Sequence, residues 1–170
     1  MKTIYRNGVR LLIAFLLANL MSNLTAQSTK PSAKLVAKSL VDSQQYVFHA
    51  QTVNPMSGRQ RFLTTDYTVI VSKDTIMTDL PYFGRAYSAP INPSDGGIRF
   101  TSTSFDYKVT PRKKGGWDIT IQPKDARDVQ LLILSIFDNG RADLRVNSIN
   151  RQPISFNGYI TDVKKRVADY

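Results

Sequence analysis

The chain has 170 residues, 42% hydrophobic and 21% charged, with 23 Lys and Arg against 13 acidic residues, the composition of one ordinary globular domain rather than a disordered, collagen-like or polytopic chain. It holds no cysteine and a single histidine, His49, which excludes disulfide scaffolds, thiolate nucleophiles, cysteine-ligated zinc or iron–sulfur sites, an acylated-cysteine lipoprotein anchor and multi-histidine metal centres. All 13 acidic residues are Asp, a poor helix-interior residue where Glu is a good one, so the composition leans toward strands and turns.

The first ten residues carry Lys2, Arg6 and Arg10 and no acid; residues 11–21 are apolar apart from Asn19, and Leu24-Thr25-Ala26 ends on a small residue before Gln27. This is the pattern of a cleaved secretory signal peptide over residues 1–26, its apolar run well short of the roughly 20 residues that cross a bilayer. A periplasmic or secreted location is expected, with no transmembrane span after cleavage. Loss of the three cations leaves 20 basic residues against 13 Asp, a net charge of +7. No nucleic-acid partner is expected of an exported protein. The cations gather at Arg59 and Arg61, at Arg112, Lys113 and Lys114, and at Lys164, Lys165 and Arg166, where solvated loops and a terminus account for them.

Residues 27–32 read as a disordered polar leader whose last residue, Ser32, caps a short helix over residues 33–44 with Val36, Leu40 and Val41 on its apolar side. From Tyr46 the period becomes two: Tyr46, Phe48 and Ala50 face one way and Val47, His49 and Gln51 the other, in a strand ending near Val53. Residues 66–72 and 75–80 form a hairpin around Ser72-Lys73-Asp74. Residues 81–97 make a long irregular loop with an aromatic cluster, of the kind that often carries function. Residues 98–110 are strand-like, but the apolar phase slips from Ile98 and Phe100 to Phe105, Tyr107 and Val109, so a bulge or sharp bend is predicted between them. A Gly-Gly turn leads into a strand over residues 117–122. Residues 129–137 are apolar on both faces, which predicts a central strand covered on its outside by the helix. Asp138-Asn139-Gly140 signals a type I′ hairpin into residues 142–146, and the last strand spans residues 153–160. Residues 164–170 are a polar tail.

Eight strands joined mostly by short turns make an antiparallel meander. The predicted domain, residues 33–163, is therefore mainly β: a single eight-stranded barrel with a short N-terminal helix, an open β-sandwich being the alternative. Nothing in it demands a cofactor. The segments Leu80-Pro81-Tyr82-Phe83-Gly84-Arg85-Ala86-Tyr87, Gly96-Gly97-Ile98, Lys114-Gly115-Gly116-Trp117 and Asn150-Arg151-Gln152-Pro153-Ile154-Ser155-Phe156-Asn157-Gly158 resemble the family called domain of unknown function 4251, typical of exported Bacteroidota proteins. The resemblance covers about residues 35–162 and implies an exported β protein of lipocalin-like barrel topology. It implies no established activity and no catalytic residues.

Tyr82, Phe83 and Tyr87 around Arg85 suit a ligand that is part apolar or sugar-like, with an acidic group for the guanidinium; the same residues also suit a plug at one end of the barrel. Trp117 lines a cavity or anchors the core beneath its turn. His49 serves as a base only if a Ser and an Asp converge on it, and otherwise reads as solvated. Asp106 and Asp118 lie on facing arms of one hairpin and could act as a glycosidase pair only at the right separation and with one raised pKa; on polar faces, as expected here, they read as solvated. The Asp138–Asp143 stretch lacks the full calcium-loop pattern, and no metal site is expected. The expected function is a non-catalytic binding module for a small, partly apolar ligand, held by Tyr82, Phe83, Arg85, Tyr87 and Trp117. A cell-envelope structural or protein-interaction factor is the alternative.

Overall fold

The structure, a computed structural model, describes residues 32–87 and 96–163, all within one compact unit. The signal segment, the leader before Ser32, the polar tail and part of the 81–97 loop lie outside the described residues. Helix α1 (Ala33–Ser43) is capped by Ser32 and ends at Gln44, whose left-handed backbone (φ 53°) returns its N–H to the last turn and swings the chain into the first strand. Nine strands follow: β1 (Tyr46–Pro55), β2 (Arg61–Val71), β3 (Ile76–Pro81), β4 (Gly97–Ser102), β5 (Phe105–Pro111), β6 (Trp117–Pro123), β7 (Val129–Ile136), β8 (Arg141–Ser148) and β9 (Ile154–Thr161).

All nine form one antiparallel sheet in the order β4-β3-β2-β1-β9-β8-β7-β6-β5. The first and last strands pair at its middle, Phe48 opposite Ile160 and His49 opposite Tyr159, while the edge strands β4 and β5 are joined only by Thr103 and Ser104. The sheet therefore curls into a nearly closed barrel, and the sandwich alternative does not arise. The eight expected strands are all present; the ninth arises because the predicted bend cuts residues 98–110 in two.

Inward-facing side chains of every strand merge into one core. Tyr46, Phe48, Ile76, Leu80, Ile119, Ile121, Leu132, Leu134, Leu144 and Phe156 are fully enclosed, and Ala37, Leu40 and Val41 of α1 belong to the same cluster. The helix stripe is thus centred on Ala37 rather than Val36, which is exposed. Lys34 bonds Asp138 of the β7–β8 turn at 3.2 Å, so α1 lies across the barrel end where β1 begins. It does not cover the outside of β7, as expected from sequence: Leu131 and Ile133 remain half-buried there, and β9, not β7, is the central strand. Inside, the Tyr46 and Tyr107 hydroxyls lie 3.0 Å apart, and burial raises the pKa of both phenols.

The β7–β8 connection also differs from expectation. Asn139 has a negative φ and only Gly140 is left-handed, at 80°. The Gly140 N–H donates to Phe137 O (2.9 Å) and the Phe137 N–H to Arg141 O (2.8 Å), a three-residue loop ending in a left-handed glycine. The Asn139 side chain accepts from the Arg141 N–H at 3.0 Å and Asp138 from the Gly116 N–H at 3.0 Å, so both side chains are spent on fixing this end of the barrel.

At the β1–β9 junction, β1 carries an extra residue near Gln51 and the two backbones close in on Gly158. A Cβ placed there would overlap the His49 carbonyl oxygen, far within van der Waals contact. Gly158→Ala is therefore expected to cost about 3 kcal/mol, the upper range for overpacking, seen as a lower urea midpoint with an unchanged slope. A midpoint equal to that of the native protein would show that the junction is looser than described.

Candidate functional site

The barrel wall is interrupted where β4 and β5 part company. Ser102, fully buried, places its hydroxyl within hydrogen-bond distance of the Asp125 carboxylate and of Ser104 O (3.1 Å). The N–H groups of Thr103 and Ser104 donate to Asp125 Oδ2 at 2.9 and 3.2 Å. One carboxylate from the β6–β7 connection thus turns the corner, and the Ser102 hydroxyl, then the Thr103 N–H, hold its pKa below the usual carboxylate value.

Past the corner, β4 and the β6–β7 connection diverge and enclose a crevice of about 300 Å³. Its floor is apolar: Ile98 and Val129 are buried, and Phe100 and Ala126 pack against the core. Its rim carries Arg99, Arg127 and Arg151 against Asp125 and Asp128. Asp125 is engaged at the corner, Arg99 bonds Asp79 at 2.7 Å and Arg151 bonds Asp128 at 3.0 Å. Arg127 is exposed and forms no ion pair among the described residues.

Arg151 is also the bolt of the neighbouring loop. Its guanidinium donates to Gly97 O at 2.8 Å and lies over the Tyr82 ring, 5.2 Å from the centroid. The Tyr82 hydroxyl reaches the carbonyls of Arg85 (2.7 Å) and Gln152 (3.1 Å). The Gln152 N–H donates to Arg85 O at 3.0 Å and the Tyr87 N–H to Asn150 O at 2.7 Å. Gly84 makes room for this fold-back, since a Cβ there would strike the Tyr82 side chain, and Gly97 passes so near Leu80 O that a Cβ would sit 2.8 Å from it. Three of the four sequence segments singled out above therefore meet in one clasp.

Of the five residues expected to bind ligand, Tyr82 is half-buried within this clasp, beside the crevice. Arg85 and Tyr87 join it through their backbones and leave their side chains exposed, while Phe83 carries Arg61 over its ring at 4.9 Å. Trp117 is elsewhere: it pairs with Pro111 and Ile136 at the opposite end of the barrel and packs on the core. Sequence reasoning missed Asp128 and Arg151 as neighbours of Tyr82 and Arg127 as a residue of the crevice rim. The Asn150-Arg151-Gln152 segment was a usable signal, but nothing local reveals that it closes on Tyr82, 70 positions away.

His49 is not solvated as expected; its side chain is 14% exposed. Nδ1 lies 2.8 Å from Asp66 Oδ1, Nε2 lies 3.0 Å from Thr161 Oγ1, and the ring stacks on Tyr159 at 5.1 Å. The carboxylate–imidazole–hydroxyl order is that of a triad in which the carboxylate orients the ring, and it ties β1 to both neighbours. Asp106 and Asp118 stand opposite Gln122 and Thr110, four residues apart along the hairpin, about 13 Å at strand rise and beyond the glycosidase range. Asp106 bonds Lys124 at 2.7 Å, and Asp118 accepts from Ser135 at 2.6 Å. Among the described residues, no three His or Asp side chains are grouped to hold a metal ion, and no helix is long and apolar enough to cross a membrane.

The Asp125 corner has a pH signature. A carboxylate with a depressed pKa stabilises the fold above the unfolded value of about 3.9 and loses that contribution as pH falls through the folded value. Asp125→Asn is expected to lower the melting temperature at neutral pH and to lessen the further loss between about pH 4 and pH 2. An acid limb identical in slope to that of the native protein would contradict the corner's role.

No curated protein matches the sequence. A crystal structure of a DUF4251 family protein from Bacteroides eggerthii is similar to this chain, with a TM-score of 0.58 and 17% identity over 82% of this chain and 94% of that one, a likeness of fold. The family model of the domain of unknown function 4251 matches residues 30–160, a span that includes the corner, the crevice and the clasp, and the chain belongs to that family.

Proposed function

We propose that the protein is an exported, non-catalytic binding module for a small, partly apolar ligand, taken up in the crevice beside β4. The observation that carries this reading is the crevice itself: an apolar floor of Ile98, Phe100, Ala126 and Val129 under a rim on which Arg127 is the one charge with no ion pair or side-chain hydrogen bond among the described residues. An apolar floor with a few convergent polar groups is the usual chemistry of a ligand site. The rim selects an acidic head group, since a charge-assisted pair with Arg127 adds orientation as well as energy. The barrel interior is lined by the side chains of one continuous apolar core. The non-catalytic reading rests on the separation of Asp106 from Asp118, which stand four residues apart along their hairpin. Export rests on the basic, apolar, small-residue pattern of residues 1–26.

The envelope-factor reading has one observation in its favour: among the described residues β4 pairs only with β3, and an unpaired sheet edge is a template for a strand from another protein.

The probe that tests the ligand reading is 1-anilinonaphthalene-8-sulfonate, an apolar anion followed by fluorescence. Saturable binding is expected, weakened about tenfold by Arg127→Ala, the equivalent of roughly 1.4 kcal/mol, and abolished by Ala126→Trp, which fills the crevice. Equal affinity in all three proteins would place the dye elsewhere and defeat the proposal.

A further inference from the structure

A second concavity lies on the opposite side of the wall, over the outer face of β1, β9 and β8. It has a volume of about 660 Å³, within the range of small-molecule sites, and its chemistry differs from that of the crevice. Its floor is a fixed hydrogen-bond network. Asn157 Oδ1 accepts from the Thr52 hydroxyl at 3.2 Å and from the Asn54 amide, and Asn157 Nδ2 donates to Asp143 Oδ1 at 2.6 Å. By the donor and acceptor inventory of these groups, Asn157 retains an N–H and Asp143 a carboxylate oxygen for a ligand. Gln51, on the bulge of β1, adds an amide with both a donor and an acceptor. Arg141 supplies a guanidinium that balances the Asp143 charge.

The walls are aromatic. Phe62 is 84% exposed and Phe137 lines the same groove. An exposed phenylalanine beside planar polar side chains that both give and accept hydrogen bonds, with no net charge, matches one ligand chemistry. Ring C–H faces pack on the aromatic, while vicinal hydroxyls, each a donor and an acceptor, bridge the amides and the carboxylate. The Asn157 network is already assembled, so little side-chain freedom is lost on binding.

We propose that this groove is a binding site for a short neutral oligosaccharide, with Phe62 as the stacking platform and Asn157 and Asp143 as the hydroxyl-reading pair. It is separate from the crevice and stands without it, and it gives the protein a polar, sugar-facing side as well as an apolar one.

The test titrates ¹⁵N-labelled full-length secreted protein with cellotriose, maltotriose and tri-N-acetylchitotriose. At least one sugar is expected to move the side-chain amide resonances of Gln51 and Asn157 saturably in the millimolar range. Phe62→Ala, at an exposed position that leaves the fold intact, is expected to weaken that sugar about tenfold, and Phe62→Tyr to retain it. Asp143→Ala should also weaken it, while dye binding at the crevice stays unchanged in the Phe62 variants. No saturable shift with any of the three sugars, or a shift of equal affinity in Phe62→Ala, would overturn the proposal.

Discussion

The pairing of the first strand with the last governs everything else in this molecule. Every strand but β4 pairs with the next in sequence, mostly across a short turn, but β1 and β9, which also pair, are separated by nearly the whole domain. Their ladder, from Val47 opposite Thr161 to Pro55 opposite Ile154, is the single long-range closure that converts a string of hairpins into a wall. Closing such a loop is entropically expensive before any contact rewards it. The junction answers with close backbone approach at Gly158 and with the chain of Asp66, His49, Thr161 and Tyr159 across three strands.

Because the termini are paired, the unavoidable break in the ring falls in mid-chain, at Thr103 and Ser104. That displacement decides where sites can exist. The core is built from every strand, and two of the accessible concavities lie at irregularities of the wall: the crevice where β4 leaves the β6–β7 connection, and the groove over the β1 bulge. The Asp125 corner borders the first and the Gln51 bulge of β1 against β9 the second. The Arg151–Tyr82 clasp then secures the loop that runs from β3 toward β4 beside the first of them.

Much of this was legible in the sequence, wherever a strand has one wet and one dry face. The alternations of Tyr46 to Ala50, Tyr67 to Val71, Trp117 to Ile121 and Ala142 to Val146 report the barrel's inside directly, and the phase slip between Phe100 and Phe105 reports the bend. What was hidden has a common physical cause, namely partners remote in sequence. Residues 61–65 escaped detection because that half of β2 is largely exposed and shows no period of two. The agent of the bend, Asp125, lies more than 20 positions away. The aromatic loop looked like a ligand grip because its glycines and carbonyls, the parts that bind Arg151 and Gln152, carry no side-chain signal. His49 looked idle for the same reason, its two partners standing on β2 and β9. At Asn139 a left-handed preference yielded to a three-residue loop that fixes the Asn139 and Asp138 side chains to backbone N–H groups.

The most direct measurement of the central claim is native-state hydrogen exchange of the backbone amides by NMR. With the ends of the chain as the closure and mid-chain as the seam, amides bonded between β1 and β9 are expected to exchange only through global unfolding, whereas the free-edge amides of β4 should exchange orders of magnitude faster. Protection of the β4 edge equal to that of β1 and β9, or early exchange along β9, would contradict the account.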